Sequence, residues 1–118
     1  MKIQILPLVT GAQKATGLTV IIDVFRAFSL EAYMYASGAK KVIPVKTVEE
    51  ALALKKENPS YILVGERKGI KVEGFDYGNS PSEFVGVDLS GKTLIHTTSA
   101  GVLGLASAVN ASQIVTGA

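Results

Sequence analysis

Short apolar runs alternate with polar, glycine-bearing or helix-like stretches along most of the chain. Thr19-Val20-Ile21-Ile22 is a β-branched run that predicts a buried strand, and Ala27 to Ser37 offers a helix-like stretch ended by Gly38. Val42-Ile43-Pro44-Val45 predicts a second short strand, weakened by its proline. Thr47-Val48-Glu49-Glu50 then opens a helix in capping-box form that runs to about Glu57, where Asn58-Pro59 closes it. Tyr61-Ile62-Leu63-Val64 predicts a third strand, followed by a glycine-rich loop and a helical turn at Ser82 to Phe84. Lys92 to His96 predicts a fourth strand, Val102 to Val109 a small-residue helix, and Gln113 to Thr116 a fifth strand.

Strands alternating with helices imply an α/β fold: a mainly parallel sheet with helices on its faces, in three layers. At 118 residues the chain is expected to be a single domain, 1–118. In such sheets ligands sit outside the carboxyl ends of the strands. That edge would collect Asp23 to Arg26, Gly65 to Asp76 and His96 to Gly101, three polar clusters facing one crevice.

Composition narrows the chemistry. The absence of cysteine excludes disulfides, thiol nucleophiles and thiolate metal sites, and makes the reducing cytoplasm the expected setting. Met1 to Pro7 is too short an apolar segment for a secretory signal, and nowhere do 18 apolar residues run together, so no membrane partner is expected. A formal charge of +2 without basic clustering argues against nucleic acid.

The candidate site centres on Gly65 to Pro81. Its glycines let backbone approach a ligand, Arg67, Lys68 and Lys71 can meet an anion, and Glu66, Glu73 and Asp76 can hold a cation. Asp23, at the end of an apolar strand, suits a magnesium ligand or a helix cap equally well by position. Arg26 can fork onto phosphate or pair with a carboxylate such as Glu31. Glu66 and Arg67 are bracketed by Gly65 and Gly69, though a mutual ion pair would also explain them. Asn79-Ser80-Pro81 carries a turn signature. Thr97-Thr98-Ser99-Ala100-Gly101 offers an oxyanion cradle or an ordinary hydroxyl cap. His96, the only histidine, can serve acid–base chemistry but suits a structural place at a strand end better. The chain has no phosphate-loop lysine motif, nucleophile elbow, H-E-x-x-H pair or dinucleotide fingerprint.

These clusters together resemble the 2-phosphosulfolactate phosphatase family. Ile21-Ile22-Asp23-Val24-Phe25-Arg26-Ala27-Phe28-Ser29 is similar to the family's apolar strand followed by D-x-x-R-A-T-S. Gly65 through Pro81 resembles its G-E-R-x-G-x-K-x-E-G-F-D-x-x-N-S-P block at nearly every defined position, and Gly38 to Val45 and Thr47 to Ala51 also look like family segments. The resemblance implies a magnesium-dependent phosphatase that hydrolyses 2-phosphosulfolactate to sulfolactate and phosphate, as in the route to coenzyme M. It places Asp23, Arg26, Glu66 and Arg67 at catalytic positions. Asp23, Glu66, Glu73 and Asp76 are the expected magnesium carboxylates, with Arg26 and Arg67 clamping the phosphoryl oxygens. Ser29, Lys71, Asn79, Ser80, Thr97, Thr98 and Gly101 are the expected substrate contacts, for a small phosphorylated or sulfonated acid.

The chain departs from the family in two ways. The family's third block, T-T-T-N-G-T followed by a basic residue, is here Thr97-Thr98-Ser99-Ala100-Gly101-Val102-Leu103, and Phe28 replaces a threonine. The expected consequence is loss of an amide, a hydroxyl and a cation from the pocket edge. The resemblance also covers only the family's N-terminal half. A half-length chain is expected to form homo-oligomers that bury an otherwise bare surface, and a non-catalytic member that binds a small anionic metabolite or needs a partner chain is the alternative.

Overall fold

The computed structural model describes residues 1–118. The chain runs α1 (Leu8–Lys14), β1 (Gly17–Ile22), α2 (Ala27–Ala36), β2 (Lys41–Pro44), α3 (Val48–Glu57), β3 (Ile62–Arg67), β4 (Ile70–Lys71), a single-turn 3-10 helix (Pro81–Phe84), β5 (Thr93–Thr97), α4 (Gly101–Ser107) and β6 (Ala111–Gly117). The fold is the expected α/β architecture with mostly parallel strands. Those strands divide into two groups: β1 pairs with β6, while β2, β5, β3 and β4 form a four-stranded sheet in that order. All pairings are parallel except the β3–β4 hairpin.

Alternation along the strands sorts their side chains into two cores. Leu63 and Ile95 point to one face, where Ala51 of α3 joins them with Val45 and Phe75. Val64 and Leu94 point to the other, against Leu30 and Met34 of α2, Phe84 and Leu89. A smaller cluster of Ala27, Phe28 and Val102 joins the start of α2 to α4. Helices therefore cover both faces of the four-stranded sheet. No helix is long and apolar enough to cross a membrane.

Local chemistry sets the element ends. Thr47 Oγ1 accepts from the backbone N–H of Glu50 at 3.1 Å, and the Glu50 carboxylate accepts from the backbone N–H of Lys46 at 3.0 Å, which caps α3 from both sides. The β3–β4 turn, Lys68-Gly69, has φ of 53° and 79°, the paired positive values of a tight hairpin turn. Gly65 lies so close to β5 that a Cβ there would overlap the carbonyl oxygen of Thr97.

Candidate functional site

The carboxyl ends of β1, β3 and β5 meet around a cleft of about 250 Å³ lined by Asp23, Phe25, Arg26, Glu66, Lys68, Gly69, Asn79, Thr98, Ser99 and Ala100. The crevice thus forms where strand order predicts it, from three segments far apart in sequence.

Glu66 fastens two of those segments together. Its carboxylate accepts the Ser99 backbone N–H at 2.6 Å, the Gly69 backbone N–H at 2.7 Å and the Ser99 hydroxyl at 3.0 Å. Burial alone would push this carboxyl up. The donors from Ser99 and Gly69, with the positive charge of Arg67, outweigh burial and hold it below its ordinary value of 4.5. The Lys68 backbone N–H also donates to the Ser99 hydroxyl, at 3.1 Å, so the hairpin turn is bound to the β5–α4 loop at two points.

Asp23 contrasts with Glu66. It follows β1 directly, its backbone N–H donates to the Gly117 carbonyl at 3.0 Å, and its carboxylate meets no protein donor. Gly101 makes room for that carboxylate, since a Cβ at position 101 would overlap Asp23 Oδ2. The chain's two close acid–base pairs are Lys55 with Asp76 and His96 with Glu31. Neither Arg26 nor Lys68 is therefore engaged with a carboxylate, and both cations are free to meet an anion.

The structure brings Asp23, Arg26, Glu66, Asn79 and Thr98 together, with Gly101 against the Asp23 carboxylate, and places the other expected site residues elsewhere. Arg67 points away from the cleft: its guanidinium donates to the carbonyls of Glu66 at 2.7 Å and Lys46 at 3.2 Å, and to the Thr97 hydroxyl at 2.8 Å. Arg67 and Thr97 thereby tie β3 and β5 to the end of β2. Asp76 accepts the Leu63 backbone N–H at 2.8 Å and pairs with Lys55, at the opposite end of β3 from Glu66. Glu73 is exposed outside the cleft, and Lys71 sits on β4 opposite Glu66 with its side chain exposed. Ser29 donates to the Val24 carbonyl at 2.6 Å, and Ser80 bonds Ser82 at 2.9 Å. Thr98 does line the cleft, but its hydroxyl also accepts the Val102 backbone N–H at 3.0 Å. No group of three or more acidic, histidine or cysteine side chains gathers around a common point. Of the four carboxylates expected for magnesium, Asp23 and Glu66 line the cleft, whereas Glu73 and Asp76 do not.

The departures from the family pattern also resolve. Val102 and Phe28 pack against each other's neighbours in one buried cluster, so two polar positions have become apolar together, inside the core. Leu103 is half-buried on α4 and lines no part of the cleft; of the altered positions Ala100 does, beside Ser99, which keeps the hydroxyl of the threonine it replaces. Lys68 and Ser99 are the cleft residues least evident from sequence. Lys68 is one of three loop cations by sequence until the hairpin turn sets it at the cleft, and Ser99 looks like a helix cap until Glu66 claims it.

Residues 5–118 match the model of a family described as 2-phosphosulpholactate phosphatase. The chain is 43% identical over 101 residues to a probable 2-phosphosulfolactate phosphatase of Bacillus subtilis, covering 85% of this chain and 44% of that protein. Similar relatives carry the same description in Carboxydothermus hydrogenoformans, at 46% identity over 98 residues, and in Thermoplasma acidophilum, at 39% over 98. The alignments cover 83% of this chain in both cases, and 40% and 44% of those relatives. The chain spans less than half the length of the curated relatives it matches.

Proposed function

The chain belongs to the 2-phosphosulpholactate phosphatase family, and from that we propose that its cleft binds the phosphate of a small acidic phosphate ester, 2-phosphosulfolactate or a close analogue, and supports its hydrolysis with magnesium. The carrying observation is the free carboxylate of Asp23 beside two unengaged cations, Arg26 and Lys68, at the carboxyl ends of three strands. A lone free carboxylate suits magnesium, which keeps several waters and is usually completed by substrate phosphate. Asp23 would hold the ion directly, with Glu66 beside it. When bound, the ion would offset charge on the phosphoryl oxygens and lower the pKa of a bound water.

The remaining steps fall to the chain's own groups. Arg26 and Lys68 meet the phosphoryl and acid oxygens of the substrate, orienting the ester. Water bonds to phosphorus as the ester oxygen departs, and that oxygen takes up a proton to give the free hydroxy acid and inorganic phosphate. Glu66, with its oxygens occupied by Ser99 and Gly69, keeps the two loops in place.

Magnesium-dependent release of phosphate from 2-phosphosulfolactate tests the reading, with para-nitrophenyl phosphate as a second substrate. Asp23→Asn is expected to lower kcat/KM on the order of a hundredfold or more, and a chelator to stop turnover. Full turnover by Asp23→Asn would overturn it. A folded wild type with no turnover on either substrate would favour a second reading, a binding domain completed by another chain. Ala100 in the cleft and the half-length match to relatives are the observations behind it. On the first reading the exposed apolar strand pair β1–β6 is expected to be covered by a second copy in solution.

A further inference from the structure

Beneath the cleft lies a polar chain that the proposed chemistry does not use. His96, fully buried on β5, has Nδ1 3.1 Å from Glu31 Oε1 on α2 and Nε2 3.3 Å from Asn79 Oδ1. Glu31 and Asn79 are themselves buried, and Asn79 lines the cleft. We infer that His96 is a positioning residue: it donates Nε2–H to Asn79 Oδ1, so that the Asn79 carboxamide N–H₂ faces the cleft as a neutral donor to an anionic group. The inference rests on the anion-binding reading of the cleft given above.

Two acceptors cannot face each other at hydrogen-bond distance, so a hydrogen must sit on Nε2 if Asn79 Oδ1 is its partner. The opposite arrangement has a neutral ring with hydrogen on Nδ1 and a rotated amide, and it would show the cleft a carbonyl oxygen. Charge burial decides between them. Glu31 has no Lys or Arg partner, and His96 is its one close hydrogen-bonding neighbour. A carboxylate beside a neutral ring would leave an uncompensated charge in the interior, whereas one additional proton on the pair cancels it. That same proton places hydrogens on both sides of the ring, one towards Glu31 and one towards Asn79. Asn79 Nδ2 has no partner inside the protein and is not sealed away from solvent, as a donor waiting for a ligand would be. Glu31 and His96 thus set the polarity of Asn79 from below, adding a donor to a cleft whose free cations are Arg26 and Lys68.

The single histidine makes the test direct, because its ring nitrogens give one set of signals. In 15N-labelled, ligand-free protein at neutral pH, two-bond proton–nitrogen correlation is expected to show a protonated Nε2. An unprotonated, accepting Nε2 overturns the inference in unaltered protein, with no variant to misfold. Inorganic phosphate with magnesium is then expected to shift the Asn79 side-chain N–H₂ resonances together with the Ser99 and Gly69 backbone amides. Shifts at Ser99 and Gly69 without Asn79 overturn the inference while leaving the anion cleft standing. Absence of any shift removes the anion-binding reading, and this inference with it, whatever the ring shows. His96→Gln, whose amide N–H₂ can replace the Nε2 donor, is expected to hold phosphate affinity within a few-fold, whereas His96→Leu, which leaves Asn79 Oδ1 without its donor, weakens it about tenfold. Equal affinities in these two folded variants would also overturn it.

Discussion

One added proton on Glu66 would disturb three contacts at once, those from the Ser99 and Gly69 backbones and the Ser99 hydroxyl. Because its carboxyl is held below 4.5, the folded state binds that proton less readily than the unfolded chain does. Its stabilising contribution is therefore complete above the unfolded value and is lost as pH falls through the lower folded one. Urea midpoints should drop on acidification below about pH 4.5 in the wild type and drop less in Glu66→Gln. At pH 7 the same variant is expected to lose about 1–3 kcal/mol, since an amide cannot accept from all three donors. Gly101→Ala should displace the Asp23 carboxylate and press on the buried Ala27, removing magnesium-dependent turnover and lowering the thermal midpoint. An active Gly101→Ala would show that Asp23 is not held where the chemistry needs it.

Elements, rather than single residues, explain why the cationic half of the expected site divides. Arg67 and Lys68 are neighbours, but β3 continues through Arg67 and turns at Lys68, so one guanidinium is drawn onto Lys46 and Thr97 while the next residue lies at the cleft. Arg67→Met is accordingly expected to cost about 1–3 kcal/mol in denaturant unfolding while leaving phosphate affinity within a few-fold. Lys68→Met should do the reverse, which side-by-side titrations would reveal. The same contrast shows what was legible in the sequence. The β-branched run 19–22, the apolar run 61–64, the Thr47–Glu50 cap and Gly38 located most elements, because propensity and packing agree there. Helix α1 escaped, since Val9, Thr10 and Gly11 are weak helix formers, and Gly11 lies tight against the backbone of Leu6 just before the helix. The two-residue β4 is too short for any periodicity to mark. Asp23 and Glu66 could be placed at the strand ends from pattern alone, whereas Asn79 reads only as part of a turn. The positions of Asp76 and Arg67 depend on backbone partners 13 and 21 residues away in sequence, which no local signal carries.

The whole molecule has an uneven surface. Leu18, Val20 and Ile22 alternate along β1 with exposures of 67%, 54% and 71%, and Ile3, Ile5, Ile114 and Val115 add to the same exposed apolar set. Sedimentation velocity at micromolar concentration is expected to show dimers or larger species, and Val20→Lys with Ile22→Lys to return monomers. A wild type that sediments as a monomer across that range would sink the expectation. Strand order has a further consequence, for the order of synthesis. β5 lies between β2 and β3 yet is translated after both, and β1 waits for β6, nearly a hundred residues later. A growing polypeptide therefore carries β2 and β3 with bare edges and exposed apolar faces until residues 93–97 arrive to bridge them. Nascent chains arrested once Ser90 has left the ribosome should remain open to protease and to holding chaperones, and resistance should appear only when the bridging strand emerges.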